Sequence, residues 1–196
     1  MSDRVRILVV AATARELASS DAWQTLVCGV GPVEASARTA AAIAALRPFA
    51  ILHVGIAGAR RARALAPASL VIGSDARYCD ANVPLEWAPN TVSASPLLLL
   101  AVQHAFPEAI TLSIGTSARV GGTTDCDVEA MEGFGVLRAA QLAGVPAIEV
   151  RAISNDIEER DRARWHFDAA FAAITAVTPR LVRALHDGMS WSAADA

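Results

Sequence analysis

The sequence predicts an α/β protein, a three-layer α/β/α sandwich whose central twisted sheet is mixed but mostly parallel. Largely apolar runs, such as residues 5–10 and 50–54, indicate strands that are buried on both faces. Alanine-rich segments between such runs indicate helices that pack closely on a sheet. Because strands and helices alternate along the chain, most strands should be parallel, while short segments in the middle of the chain favour a mixed sheet.

Six strands are predicted from apolar runs that end at glycine, proline, asparagine or aspartate. The second run ends at Gly29-Val30-Gly31 and the third at Gly55-Ile56-Ala57-Gly58, so a glycine turn should follow each. Residues 78–95 contain Pro84 and Pro89 and are predicted as loop or edge structure. The predicted strands are residues 5–10, 25–30, 50–54, 69–74, 109–114 and 147–153.

Helices are predicted where apolar or alanine-rich segments carry start and stop residues. Pro32 suits the first turn of a helix, and Gly144 followed by Pro146 suits the end of one. Residues 1–187 should form one domain, and 188–196 a frayed tail. The predicted segments are a turn or short helix at 13–19 and helices at 32–46, 97–106, 128–143 and 162–186.

Composition narrows the classes of function. The chain is 54% hydrophobic and 19% charged, which is typical of a globular domain. Its formal net charge is −3 and no basic block is present, so a nucleic-acid partner is not expected. All 17 basic residues are arginine, which excludes Schiff-base chemistry and phosphate loops that depend on lysine.

Cysteine usage and hydropathy indicate the compartment. Cys28, Cys79 and Cys126 fit neither a disulfide framework nor a zinc site, and they are predicted to be small buried hydrophobic residues. No signal peptide and no apolar run of membrane-spanning length is visible, so a cytoplasmic protein without a membrane partner is expected. The four histidines share no metal-ligand spacing, and no metal is expected.

Several features should meet at one edge of the sheet, because ligands of open α/β sheets bind beyond the carboxyl ends of the strands. Glu16 follows the first strand, the glycine segments follow the second and third, and Asn155 follows the strand at 147–153. The amide of Asn155 can hydrogen-bond a heterocycle, and the carboxylate of Glu132 can hold sugar hydroxyls. Together they suggest a nucleoside site.

Each of these residues alone also has a structural interpretation. Glu16 is more typical of a solvated carboxylate favoured by a helix dipole, and Glu132 could equally be a buried cap or ion pair. Arg151 lies in an apolar strand and should be paired, either structurally or beside Glu16. The glycines more often serve turns with positive φ than close approach to a ligand.

Residues from about 5 to about 185 resemble the nucleoside phosphorylase and nucleosidase superfamily. Glu16, the two glycine segments, Met131-Glu132 and Arg151-Ala152-Ile153-Ser154-Asn155 carry the resemblance. Within the superfamily, the last segment, with Glu159-Arg160-Asp161 and Trp165 after it, is most similar to the futalosine hydrolases. Asn155 stands where methylthioadenosine nucleosidases usually carry aspartate, and Ile56 where a serine is common.

The resemblance implies an N-ribosyl hydrolase of menaquinone biosynthesis that releases hypoxanthine from futalosine, with water as the nucleophile and without any cofactor. Glu16 would be the general base, and Arg151 would favour its ionised form. Asn155 would hydrogen-bond the departing base, and Met131 and Glu132 would hold the ribose. The residues implied in substrate binding are Ile56, Ala57, Gly58, Met131 and Glu132.

Three other functions stay open at this point: another purine nucleosidase acting on methylthioadenosine or S-adenosylhomocysteine, a purine nucleoside phosphorylase, and a non-catalytic nucleoside-binding protein. Glu16 argues against the last, since binding alone needs no base. The segment 117–127 is short, so the base-stacking residues of the family cannot be assigned there. A mean hydropathy of +0.37 and the resemblance together predict a homo-oligomer, a dimer or larger.

Overall fold

The computed structural model describes residues 6–81, 83–123 and 125–194. Its strands are β1 (Ile7–Ala11), β2 (Gln24–Val27), β3 (Ala50–Ala59), β4 (Leu70–Tyr78), β5 (Thr91–Ser93), β6 (Ile110–Thr116), β7 (Val128–Ala130) and β8 (Ala147–Asp156). Its α-helices are α1 (Pro32–Leu46), α2 (Pro96–Ala105), α3 (Gly133–Leu142) and α4 (Phe167–Ala194). Short 3-10 turns cover Ala14–Glu16, Arg61–Arg63 and Arg162–Arg164.

All eight strands join in one sheet, with the order β2-β1-β3-β7-β6-β4-β5. β8 lies between β3 and β4, parallel to the first and antiparallel to the second. The pairs β1–β2, β1–β3 and β4–β6 are also parallel, as is β6–β7, whereas β3–β7 and β4–β5 are antiparallel. The predicted mixed, mostly parallel sheet is therefore confirmed.

Helices cover both faces of the sheet. Side chains alternate along β1, so that Ile7 and Val9 enter the core shared with α2 and α4, while Leu8 and Val10 enter the core shared with α1 and α3. Both faces of this strand are buried, which explains its unbroken apolar sequence. The predicted three layers are confirmed.

Two strands extend beyond their predicted ends. β3 continues through Gly55-Ile56-Ala57-Gly58 to Ala59, and β8 continues to Asp156. The two strands pair along this whole extension, with one register shift between Ala57 and Gly58. The prediction that the glycine segment is a turn was therefore wrong, because pairing with β8 holds it extended.

The prediction of one helix over residues 128–143 was also wrong at its start. Residues 128–130 form β7, which inserts between β3 and β6, and α3 begins only at Gly133. The periodic apolar pattern is compatible with a helix, but two neighbouring strands offer these residues hydrogen-bond partners. Glu132 consequently occupies the N-cap position of α3 instead of lying within the helix, and its side chain makes no capping hydrogen bond.

The C-terminal helix also differs from its prediction. Residues 162–164 form a separate 3-10 turn, and α4 runs from Phe167 to Ala194, so it includes most of the segment expected to be frayed. Residues 195–196 lie outside the described residues, as does Val5 at the predicted start of the first strand. Among the described helices, none is long and apolar enough to cross a membrane.

The contact between α1 and α3 yields a stability prediction. A Cβ atom added at Gly135 would overlap the backbone carbonyl oxygen of Pro32. Gly135→Ala should therefore lower the free energy of unfolding by about 1–3 kcal/mol, because the overlap outweighs a helix-propensity gain of about 1 kcal/mol. Urea titration measures the change. Gly73→Ala is the comparison variant, since its Cβ would approach no atom closer than the Ile114 Cδ1 at 3.2 Å and the Glu149 carbonyl oxygen at 3.3 Å, and equal losses in both variants would contradict the prediction.

Candidate active site

A cavity of about 290 Å³ opens at the carboxyl ends of β1, β3 and β8. It brings together Glu16, Glu132 and Asn155, as the sequence predicts. A larger, open cleft of about 720 Å³ lies beside it and shares Asn155, but its charged side chains Arg61 and Arg164 are already paired with acids. The lining of the smaller cavity also includes Ala12, Thr13, Val30, Ile56, Ala57, Gly58, Val120, Glu129, Ala130, Met131 and Ser154.

Glu16 ends the 3-10 turn that follows β1, and it is only 3% exposed. One carboxylate oxygen accepts hydrogen bonds from the backbone N–H and the hydroxyl of Thr13, both at 2.8 Å. The other accepts from the backbone N–H of Ile56 at 3.2 Å. The solvated interpretation of Glu16 was therefore wrong, because three donors fix its carboxylate at the cavity wall.

The glycines of β3 allow other side chains to approach its backbone closely. A Cβ atom at Gly55 would overlap the Arg151 guanidinium and would lie 2.8 Å from Oε1 of Glu16. A Cβ atom at Gly58 would lie 3.0 Å from Nδ2 of Asn155. Neither residue has positive φ, unlike Gly29 and Gly31. The turn interpretation thus holds for the first glycine segment and fails for the second.

Glu132 bridges the loop before α1 and the sheet. Its Oε1 accepts a hydrogen bond from the Gly31 backbone N–H at 3.2 Å, and its Oε2 lies 3.4 Å from Nη2 of Arg151. Burial raises the pKa of Glu132, while the charge of Arg151 and the Gly31 N–H oppose that rise. Met131 precedes it on the cavity wall, which is the placement that the sequence predicts for a ribose-binding pair.

Asn155 presents its amide near the end of β8. Its Oδ1 accepts from the Ser154 hydroxyl at 2.7 Å, and its Nδ2 donates to the Asp156 carbonyl at 2.9 Å. These bonds fix the orientation of the amide, and they leave one N–H and one oxygen lone pair for a ligand. The side chain is buried at the edge of the cavity, as expected for a group that reads a heterocycle.

Arg151 lies beneath the cavity, among fully buried polar groups. Its Nε donates to Oε1 of Glu149 at 2.7 Å, and its Nη2 lies 3.1 Å from Nε2 of His53. Burial acts to lower the pKa of Arg151, but the surrounding carboxylates outweigh it and raise that pKa. Burial and the charge of Arg151 both lower the pKa of His53, which keeps this ring neutral. The predicted pairing of Arg151 is present, although its guanidinium reaches Glu132 and not the cavity itself.

Two acids in this region were missed from the sequence. Glu149 precedes Arg151 by two positions on one strand, a spacing that places both side chains on the same face. Glu129 lines the cavity and accepts hydrogen bonds from the Thr123 backbone N–H and hydroxyl. It thereby ties the segment 117–127 to β7. The alternation along β8 could have indicated Glu149, but no local pattern marks Glu129.

The outer part of the cavity is aromatic. It is lined by Trp165, Phe167 and Phe171. The ring centroid of Phe167 lies 5.3 Å from that of Trp165 and 6.1 Å from that of Phe171. The Arg162 guanidinium lies 5.4 Å from the Trp165 ring centroid and also borders the cavity. Trp165 is only half-buried and forms part of the wall. This surface can hold an apolar or aromatic group next to a ribose.

Comparison with known proteins shows the family to which the chain belongs. A model of the phosphorylase superfamily matches residues 25–187. Futalosine hydrolase of Streptomyces coelicolor is 34% identical to the chain over 198 aligned residues, which cover 87% of the chain and 82% of that protein. The family resemblance predicted from the residues is thereby confirmed.

Solved structures agree on the fold. A methylthioadenosine/S-adenosylhomocysteine nucleosidase of Colwellia psychrerythraea in complex with adenine superposes with a TM-score of 0.79 at 16% identity, over 94% of this chain and 95% of that one. The native futalosine hydrolase of Helicobacter pylori gives a TM-score of 0.76 at 16% identity, over 95% and 99% of the two chains. The predicted nucleoside phosphorylase-like architecture is confirmed.

Proposed function

Since the chain belongs to the phosphorylase superfamily, we propose that it is a nucleosidase that hydrolyses the N-glycosidic bond of futalosine in menaquinone biosynthesis. The products are hypoxanthine and dehypoxanthine futalosine. The observation that carries the proposal is the meeting of Asn155, Glu132 and Glu16 in one cavity. The similarity to the Streptomyces coelicolor protein supports it over nearly the whole chain.

Asn155 favours a 6-oxopurine base. Its amide oxygen accepts from N7–H once the departing base has taken a proton there from solvent, since an amide cannot supply that proton, and its N–H donates to the exocyclic oxygen of hypoxanthine. An ionised aspartate only accepts, and it would repel that oxygen while suiting the amino group of adenine. Asn155 therefore argues against a methylthioadenosine or S-adenosylhomocysteine nucleosidase. Its amide stabilises the electron density that builds on the departing base.

Glu16 is the group placed to activate water. Cleavage of an N-ribosidic bond passes through an oxocarbenium-like state that a water molecule attacks at the anomeric carbon. The carboxylate of Glu16 is held by Thr13 and Ile56 and faces the cavity, so it takes the proton of that water as general base. A non-catalytic nucleoside-binding protein would have no use for a base in this position.

Glu132 holds the sugar. Its carboxylate is anchored on one side by Gly31 and on the other by Arg151, and its remaining lone pairs face the cavity. Such a group accepts hydrogen bonds from both ribose hydroxyls and fixes the anomeric carbon relative to Glu16. Met131 packs on the ribose face, and the backbone of Ile56, Ala57 and Gly58 forms the adjoining wall. The 5′ substituent then lies against Trp165 and its aromatic neighbours.

The proposal extends to assembly and compartment. We propose a cytoplasmic homo-oligomer, at least a dimer. Val33 is 76% exposed beside a shallow apolar depression between α1 and α3, where Phe134 stacks on Tyr78. Such an apolar surface suits contact with a second copy. The three free thiols suit a reducing compartment.

The first test is the reaction itself. Purified protein incubated with futalosine should release hypoxanthine at a rate that does not depend on phosphate, and the sugar product should be free of phosphate. Chromatography of the products with and without phosphate measures both. Inosine and methylthioadenosine serve as comparison substrates and should be cleaved more slowly. A ribose 1-phosphate product would identify a phosphorylase instead.

The substitutions Glu16→Gln and Glu132→Gln should change different kinetic constants. Loss of the base should lower kcat by roughly 10²–10⁴-fold with little change in KM. Loss of the ribose-holding carboxylate should raise KM as well as lower kcat, because a contact that positions the sugar acts in the bound ground state and in the transition state. Steady-state kinetics on futalosine measure both constants, with the exposed Glu108→Gln as control. A Glu16→Gln variant that retains nearly full activity would rule out Glu16 as the base.

Asn155→Asp should change the choice of base. The variant should cleave futalosine more slowly, because a mispaired buried polar group costs about 1–3 kcal/mol. Its kcat/KM on the 6-amino counterpart, relative to that on futalosine, should exceed the same ratio in the wild type. The ratio of kcat/KM for the two substrates measures the shift, and Asn90→Asp, which lies outside the cavity, is the control. An unchanged ratio in a folded Asn155→Asp variant would mean that another residue reads the base.

A further inference from the structure

Glu149 is the most completely buried acid near the site, and the mechanism above does not use it. It is 0% exposed and does not line the cavity. Its Oε1 accepts from Nε of Arg151 at 2.7 Å, whereas its Oε2 is buried without a hydrogen-bond partner among the described residues. The charged or titratable groups that face it are Arg151, His53, Glu132 and Asp75.

Two glycines make room for the Glu149–Arg151 pair. Gly55 is the β3 partner of Arg151, and a Cβ atom there would overlap the guanidinium. Gly133 is the first residue of α3, and a Cβ atom there would overlap both carboxylate oxygens of Glu149. The pair is thus enclosed by backbone on two sides, and neither side chain can move far without displacing β3 or α3.

The pair connects to Glu132 and, through Ile56, to Glu16. Nη2 of Arg151 lies 3.4 Å from Oε2 of Glu132, and its Nη1 donates to the carbonyl oxygen of Ile56 at 3.5 Å. The backbone N–H of the same Ile56 holds Oε1 of Glu16. A guanidinium is planar and rigid, so the bond at its Nε sets the direction of its two amino groups. Glu149 therefore sets where Arg151 can hold Glu132.

We infer that Glu149 is a positioning residue of the site, which orients Arg151 so that Glu132 is held in place for the ribose hydroxyls. This inference rests on the proposed nucleosidase function. It adds a residue that touches neither ribose nor base. Its action should leave recognition of the base unchanged, because Asn155 is fixed separately by Ser154 and Asp156.

The test compares a ribose-bearing ligand with a free base. Glu149→Gln keeps the size of the side chain, but it replaces the charged acceptor of Nε with a neutral amide, which holds the guanidinium less firmly. It should lower kcat/KM for futalosine about 10- to 100-fold, as expected for a misplaced positioning group. The Kd for hypoxanthine, measured by titration calorimetry, should stay within about twofold of the wild type, because the base does not contact Glu132. Glu108→Gln is the surface control.

Gly133→Ala is the second variant, and it keeps every charge. Its added methyl should displace the Glu149 carboxylate and produce the same selective loss. Unchanged futalosine kinetics in folded Glu149→Gln would overturn the inference, and so would an equal weakening of hypoxanthine binding. Failure of both variants to fold would assign Glu149 a purely structural role and overturn it too. A wild type that neither cleaves futalosine nor binds hypoxanthine would instead contradict the proposed function.

Discussion

The charge of Arg151 is buried in the middle of the sheet, and much of the surrounding structure compensates for it. A guanidinium removed from water is stable only when acids and acceptors replace its hydration. Glu149 and Glu132 supply the acids, while His53 and the Ile56 carbonyl supply neutral acceptors. Removing one partner of such a group costs about 3–5 kcal/mol, because an unpaired charge is left behind. The arrangement is therefore rigid.

This rigidity explains why β3 carries glycine where a buried strand normally carries branched residues. Gly55 lies directly beside Arg151 in the register, and a side chain there would occupy the volume of the guanidinium. The backbone of β3 can then face the cavity, where its Ile56 N–H holds Glu16. A single packing requirement thus places a backbone donor at the candidate general base. Glu16 and Glu132 are fixed relative to each other through Arg151 and β3.

The cavity is built by parts of the chain that are distant in sequence. β1 and its 3-10 turn supply Glu16, the loop before α3 supplies Met131 and Glu132, and β8 supplies Asn155. Trp165, just before α4, and Phe167 and Phe171, within α4, line the rest of the cavity. Asn155 lies on the sheet, and hydrogen bonds from backbone N–H groups fix Glu16 and Glu132 just outside it. The aromatic groups lie on the surrounding turn and helix, which suits a division between reaction and recognition of the 5′ substituent.

The sequence by itself determined the α/β class, the mostly parallel sheet and the edge at which the site lies. Strands buried on both faces have a distinctive composition, and polar residues at their carboxyl ends must meet once the sheet forms. Helix α1 was predicted to the residue, because Pro32 marks its start and the alanine-rich run has no competing partner. Glu16 and Asn155 were predicted at this edge from the strands that precede them, while Glu132 was predicted beside them from within a helix, and all three line the candidate cavity.

Only the tertiary structure decided the features that depend on pairing across the sheet. Residues 128–130 became a strand because β3 and β6 flank them, and the glycines of β3 stayed extended because β8 runs alongside. The inferred role of Glu149 depends on its contact with Arg151 and on the space left by Gly133 of α3. A hydropathy pattern indicates which side chains of one segment are buried. Strand pairing and the contacts of Glu149 join segments that are distant in sequence, so no single pattern indicates them. The buried charge cluster is therefore a property of the fold and not of any one motif.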